Sequence, residues 1–124
     1  MQKKINTDKA PGALGPYSQA VEIDQLVYTS GQLGIDPATG ELADGVEAQA
    51  KQALENVKAI LAEAGLEMSS IIKTLVFIKD MNDFGKVNAI YAQYFTAPFP
   101  ARSCVEVARL PKDVLLECEA IAEL

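Results

Sequence analysis

The sequence predicts an α+β fold with the element order βββαβαββ, six strands in one sheet with two helices packed on one face. Three observations carry this. The stretch Val46–Ala64 repeats apolar residues at helical spacing. Several shorter segments are rich in β-branched and aromatic residues and are bounded by Gly, Pro, Asn or Asp. With 124 residues, 49 % of them apolar and 23 % charged, the chain is long enough for one core and too short for two. Residues 1–124 are therefore expected to form a single domain.

A short strand is expected near Lys3–Asn6. Pro11-Gly12-Ala13-Leu14-Gly15-Pro16 follows, too rich in Gly and Pro for regular structure. Strands are expected at Ser18–Ile23 and Leu26–Leu33, joined tightly at Asp24-Gln25, and Asp36-Pro37-Ala38-Thr39-Gly40 reads as a turn. In Val46–Ala64, residues Val46, Ala50, Ala53, Leu54, Val57, Ile60, Leu61 and Ala64 share one helical face, and Gly65 supplies a left-handed stop. Ile71–Lys79 reads as a strand. Asp83–Phe95 reads as a second helix with Phe84, Val87, Tyr91, Tyr94 and Phe95 on its buried stripe. Arg102–Arg109 and Val114–Ala122 close the chain as two strands flanking Leu110-Pro111-Lys112-Asp113.

Two helices cover one face of such a sheet. Yet Ile71–Lys79 is apolar on both sides, with Leu75 and Phe77 pointing one way and Val76 and Ile78 the other. The second face needs a cover that the monomer lacks, and barrel closure against identical subunits is the expected answer.

Composition limits the chemistry. The net charge of −6, with basic residues scattered, argues against a nucleic-acid-binding face. Cys104 and Cys118 read as reduced, buried residues. The absence of histidine excludes Ser-His-Asp and Cys-His catalysis and the usual zinc sites. Proton transfer would rest on carboxylate, tyrosine, cysteine or lysine. There is no P-loop, dinucleotide-binding fingerprint or metal-ligand spacing, so neither cofactor nor metal is expected. No stretch reaches membrane-span length, and Met1–Asn6 lacks the apolar run of a secretory signal; a cytoplasmic location is expected.

Arg102 opens a strand after Phe99-Pro100-Ala101, in a setting that suggests burial and calls for an anionic partner. That partner is either a ligand carboxylate held by the planar guanidinium fork or an internal carboxylate, Glu106 or Glu119. Glu117 and Glu119 alternate with Leu116, Cys118 and Ala120, and either carboxylate fits a general acid/base or a solvated or interface-paired strand face. If Arg109 and Val114 face each other in a hairpin, Arg102 and Glu117 share a face but stand four residues, roughly 13 Å, apart. A ligand touching both then needs a bulge, a register shift or a neighbouring subunit. Tyr17, Ser30-Gly31 and Asn88 read equally as pocket residues or as turn and cap residues. Cys104 reads as a small buried hydrophobe rather than a nucleophile.

These residues together resemble the RidA family (also called YjgF, formerly grouped as endoribonuclease or translation-inhibitor proteins). The matching stretches are Ala10-Pro11 with Gly15-Pro16-Tyr17-Ser18-Gln19, Thr29-Ser30-Gly31-Gln32, Gln49-Ala50 with Asn56-Val57-Lys58-Ala59-Ile60, Lys73-Thr74 with Val76-Phe77, and Asp83-Phe84 with Val87-Asn88 and Tyr91. The most specific block runs from Pro100-Ala101-Arg102-Ser103-Cys104-Val105-Glu106-Val107-Ala108-Arg109-Leu110-Pro111 to Glu117-Cys118-Glu119-Ala120-Ile121-Ala122. The resemblance implies a chorismate-mutase-like fold, a homotrimeric barrel with sites between subunits, and hydrolysis of 2-imino acids to 2-keto acids and ammonium. The role it implies is protection of pyridoxal-phosphate enzymes from such imines. It implies Arg102 as the carboxylate-binding arginine, assisted by the backbone N–H of Cys104, and Glu117 as the carboxylate that positions water. Tyr17, Ser30, Gly31 and Asn88 fall at pocket-lining positions. Leu33-Gly34, Cys118 and the loop Thr96-Ala97-Pro98-Phe99 depart from the common family pattern, the first and last bearing on pocket size. A non-catalytic ligand sensor or partner-binding trimer, and an endoribonuclease or translation inhibitor, are the other functions compatible with the family.

Overall fold

A computed structural model describes residues Met1–Leu124. The chain folds into a mixed sheet of seven strands with two α-helices, α1 (Val46–Glu63) and α2 (Phe84–Tyr91), on one face. The strands are β1 (Lys3–Ile5), β2 (Ala20–Ile23), β3 (Leu26–Thr29), β4 (Gln32–Leu33), β5 (Ile71–Ile78), β6 (Ala101–Glu106) and β7 (Leu116–Glu123). Their order is β1-β2-β3-β7-β5-β6, with β4 also paired to β7.

Most elements lie where the sequence places them. Asp24 and Gln25 take left-handed φ values of 49° and 71°, the geometry of a tight hairpin turn, and join β2 to β3. Helix α1 buries Ala50, Ala53, Leu54, Val57, Ile60 and Leu61. It ends where Gly65 takes φ 76°, with Leu66 N–H donating to the Leu61 carbonyl and Gly65 N–H to that of Ala62. Helix α2 is shorter than the predicted Asp83–Phe95. Its hydrogen bonds tighten after Tyr91 into the turn Gln93 N–H to Ile90 and Tyr94 N–H to Tyr91, which still delivers Phe95 onto the Tyr91 ring at 4.5 Å.

Two differences reshape the site. The predicted strand Leu26–Leu33 is two strands. Tyr28 pairs with Ile121, but Gln32 pairs with Cys118, so one extra residue is accommodated between β3 and β4. The bulge at Ser30-Gly31 reverses the alternation, leaving Gln32 buried toward the helices and Leu33 on the opposite face. The second difference is that β6 and β7 form no hairpin. β5, α2 and β6 make a parallel crossover unit, and β7 enters antiparallel on the other side of β5. The short link Pro111–Asp113 therefore carries the chain past β5, with Lys112 and Asp113 at φ 57° and 54°.

The core lies between the sheet and the helices. Leu116, Cys118, Ala120 and Ala122 of β7 and Val76 and Ile78 of β5 face α1 and α2 and are buried. The other face of the sheet is open, and its Leu75, Phe77 and Ile121 are half-buried while Val105 is exposed. Within one chain the sheet does not close into a barrel.

Candidate functional site

Glu117 projects from β7 onto the open face, directly opposite Leu33 of β4. The bulge before β4 makes room for it. A Cβ at Gly31 would lie 1.8 Å from Glu117 Oε1, so the carboxylate rests against bare backbone that only glycine provides. An open cleft of about 420 Å³ surrounds the carboxylate, lined by Leu14, Tyr17, Ser30, Gly31, Leu33, Pro111, Lys112 and Glu117. Four predicted site residues, Tyr17, Ser30, Gly31 and Glu117, thus meet in one place.

Buried polar side chains hold this cleft in shape. Gln19 Nε2 donates to the carbonyls of Thr7, Ala10 and Pro11, and its Oε1 accepts from Thr7 N–H at 2.8 Å. This fastens the irregular segment leading to Leu14 and Tyr17. Ser30 Oγ donates to the Ser18 carbonyl at 2.6 Å, and Ser30 N–H to that of Gln19 at 2.8 Å. On the far side of β4, a Cβ on Gly34 would lie 2.5 Å from Gln49 Cα, so this glycine lets the strand touch α1.

Burial raises the pKa of Glu117 above the ordinary carboxylate value, and the negative charge of Glu119 raises it further. No ion pair neutralises Glu117; Arg109 and Asp113 form the ion pair of this chain. A half-buried carboxylate in a cleft of mixed lining, with Leu14, Tyr17 and Leu33 beside Ser30 and Lys112 and with solvent access, suits proton exchange with a bound water.

Arg102 occupies different surroundings. Its strand, β6, is the edge of the sheet and pairs with β5 alone. Arg102 sits in register with Thr74 and points, as Thr74 does, toward α2. Its guanidinium carbon lies 4.7 Å from the centroid of the Tyr91 ring and 5.3 Å from that of Phe84. Nη1 donates to Asn88 Oδ1 at 2.7 Å. Neither Glu106 nor Glu119 pairs with it: Glu106 Oε1 accepts from Met81 N–H, and Glu119 faces the other side of the sheet. Cys104 lies on the same side of β6 as Arg102. Burial pushes its thiol pKa up and the Arg102 charge opposes this. Val107 N–H donates to the Ile78 carbonyl, so by alternation along the strand the main-chain amides of Arg102 and Cys104 point to the unpaired edge.

Arg102 and Glu117 therefore do not share a face, contrary to the hairpin expectation. Arg102 is level with Thr74 and Glu117 with Phe77, with β5 between them and the two side chains on opposite sides of the sheet. The chain carries two separate clusters of candidate residues: the Glu117 cleft, and the Arg102 edge with Asn88 and Cys104.

Sequence reasoning missed Leu14, Pro111 and Lys112 in the cleft, and the role of Phe84 and Tyr91 beneath Arg102. The aromatic pair was legible only as a buried stripe. Lys112 depends on a left-handed turn at a non-glycine residue, which leaves no reliable mark in sequence. Leu33 does line the cleft, whereas Thr96, Ala97 and Pro98 border a separate hollow with Met68 and Phe95. No group of three or more Cys, Asp or Glu side chains is placed to hold a metal ion. No helix is long and apolar enough to cross a membrane.

Comparison with known proteins agrees with this geometry. The family described as Endoribonuclease L-PSP matches residues 7–124. A 2-iminobutanoate/2-iminopropanoate deaminase of Salmonella typhimurium is 60 % identical over 125 residues, covering 98 % of each chain. The crystal structure of TdcF from E. coli with bound serine has 54 % identity, 98 % coverage of both chains and a TM-score of 0.95. RidA from the Antarctic bacterium Psychrobacter sp. PAMC 21119 has 46 % identity, covers 98 % of this chain and 99 % of its own, and gives a TM-score of 0.96. With a matching family profile over nearly its full length and relatives this similar, the chain belongs to the RidA family, described also as the L-PSP family.

Proposed function

We propose that this protein hydrolyses 2-imino acids, 2-iminobutanoate and 2-iminopropanoate among them, to 2-keto acids and ammonium. The observation that carries the reading is the pair of clusters. Arg102 is a guanidinium without a carboxylate partner at an open sheet edge, and Glu117 is a carboxylate of raised pKa in a solvent-accessible cleft. A 2-imino acid has a carboxylate for the first and an electrophilic carbon for the second.

In this mechanism Arg102, with the outward N–H of Cys104, holds the substrate carboxylate and fixes the imine carbon beside Glu117. Glu117 accepts a proton from water as the water oxygen bonds to that carbon. With the imine nitrogen protonated, this gives a neutral carbinolamine. Glu117 returns the proton to nitrogen and takes the hydroxyl proton as the C–N bond breaks, so the carbon keeps the oxygen as a ketone and the departing ammonia carries that proton away as ammonium. Tyr17, Ser30 and Gly31 shape the cleft around the reacting atoms. An imine is already electrophilic, so position and one proton carrier suffice.

Because Arg102 and Glu117 occupy opposite faces of one sheet, the complete site needs the edge of one subunit against the open face of another. A homotrimer closed through Leu75, Phe77 and Val105 meets that need and covers the exposed apolar face. We take residues 1–124 as one unit and the cytoplasm as its compartment, where the free thiols of Cys104 and Cys118 persist and pyridoxal-phosphate dehydratases release such imines. Nucleic acid is not among the partners proposed, since the net charge of −6 opposes a polyanion.

Coupling the protein to a threonine dehydratase and following 2-ketobutyrate tests the reading. Wild type should speed keto-acid release, with Arg102→Ala and Glu117→Ala at least ~100-fold slower. Glu117→Ala should still bind 2-ketobutyrate. No acceleration by well-folded wild type would overturn the reading.

A further inference from the structure

The setting of Arg102 is unusual for a half-buried arginine, because everything that holds it is neutral. Asn88 Oδ1 takes the one hydrogen bond, and the rings of Tyr91 and Phe84 supply two faces. The Tyr91 ring is itself fixed. Its hydroxyl shares a 2.8 Å hydrogen bond with Thr74, which is buried and is the register neighbour of Arg102 on β5. A carboxylate in place of Asn88 would hold the guanidinium as firmly but would also cancel its charge. An amide and two aromatic rings orient the fork and leave its full charge for an incoming anion.

We infer that Asn88 and Tyr91 are positioning residues that orient Arg102 without neutralising it, so that substrate-carboxylate affinity is set by this neutral cradle. This rests on the reading of Arg102 as the carboxylate-binding group. Asn88 then acts through Arg102 and not by touching the substrate itself. Helix α2 supplies both residues one turn apart, at Asn88 and Tyr91, and Phe84 one turn earlier completes the stack. The conformation of α2 is therefore tied to how well the edge strand packed against it binds an anion.

The test is a double-mutant cycle on the intact oligomer. Binding of 2-ketobutyrate is measured by calorimetry and turnover by the coupled assay. Asn88→Ala should raise Kd and KM about tenfold and leave kcat within about twofold. Asn88→Asp should raise them at least another ~10-fold, because it adds a neutralising charge in nearly the same shape. Tyr91→Phe, which keeps the ring and loses the Thr74 bond, should fall between wild type and Asn88→Ala. In an Arg102→Lys background, which keeps a charge but has no planar fork, the effect of Asn88→Ala should shrink to within about twofold. Melting temperature checks folding of each variant. If Asn88→Ala costs the same factor with Lys at 102 as with Arg, Asn88 contacts substrate directly and the inference is wrong. Equal losses for Asn88→Ala and Asn88→Asp also overturn it. Wild type that neither binds nor turns over substrate sinks the proposed function instead, a result distinguishable from either.

Discussion

Gly31 and Glu117 work as one unit at the scale of single residues. The carboxylate occupies the space where any other residue at 31 would place a Cβ, 1.8 Å from Oε1. Gly31→Ala should therefore push Glu117 out of position and lower kcat/KM at least ~30-fold, while 2-ketobutyrate affinity at Arg102 changes little. A variant with near wild-type turnover would remove Glu117 in this conformation from the mechanism. The pKa of Glu117 gives a second prediction. Burial first, and then Glu119, raises it in the folded state, so the ionised form costs folding free energy. The contribution of this group to stability is fully present below the ordinary carboxylate pKa and is lost as pH rises through the raised one. Glu117→Gln should thus melt about 2 °C above wild type at neutral pH, and the gap should close as pH falls toward the unperturbed carboxylate range. Wild-type turnover should fall on the acid side at a pH above that range, because the proton acceptor must be ionised.

Helix α1 and the bulged strand pair set the cleft at the scale of elements. Asn56, fully buried on α1, donates through Nδ2 to the carbonyls of Leu33 and Ile35 at 2.9 Å each and accepts at Oδ1 from Gln52. It fixes the residues on either side of Gly34, and with them the position of Leu33 opposite Glu117. Asn56→Ala leaves two carbonyls without partners and should cost about 2–4 kcal/mol in urea unfolding at fixed protein concentration. A loss below ~0.5 kcal/mol would mean that water replaces the amide at no cost. The helices were legible in the sequence because their apolar spacing and the stop at Gly65 are local signals. The break between β3 and β4 was not. Ser30-Gly31 reads as a strand end where a ligand or backbone can come close, but only the pairing to β7 shows that the chain continues into β4 with one residue extra. The hairpin expected between β6 and β7 failed for the same kind of reason. A short link with proline resembles a turn, but α2 already makes β6 parallel to β5 and seats β7 on its other side.

The organisation of the whole molecule follows from a sheet with one covered face and one open face. The apolar character of Leu75 and Phe77 was readable from alternation in Ile71–Lys79, and it correctly pointed to a face that this chain does not cover. The candidate residues were readable one at a time, since the alternation in β7 assigns Glu117 a face and the strand position of Arg102 suggests a buried guanidinium. Their relation was not readable, because it depends on strand order across β5. That relation places Arg102 and Glu117 on opposite sides of one sheet, so under the proposed function a complete site would need two subunits. Arg102→Ala and Glu117→Ala subunits test it directly. Each alone should be inactive in the dehydratase-coupled assay. Refolded together in equal amounts, they should regain about a quarter of wild-type activity, because a site is whole only when Arg102 of one subunit meets Glu117 of its neighbour and each is present in half the subunits. Mixed oligomers with no more activity than the separate variants would contradict a site shared between subunits.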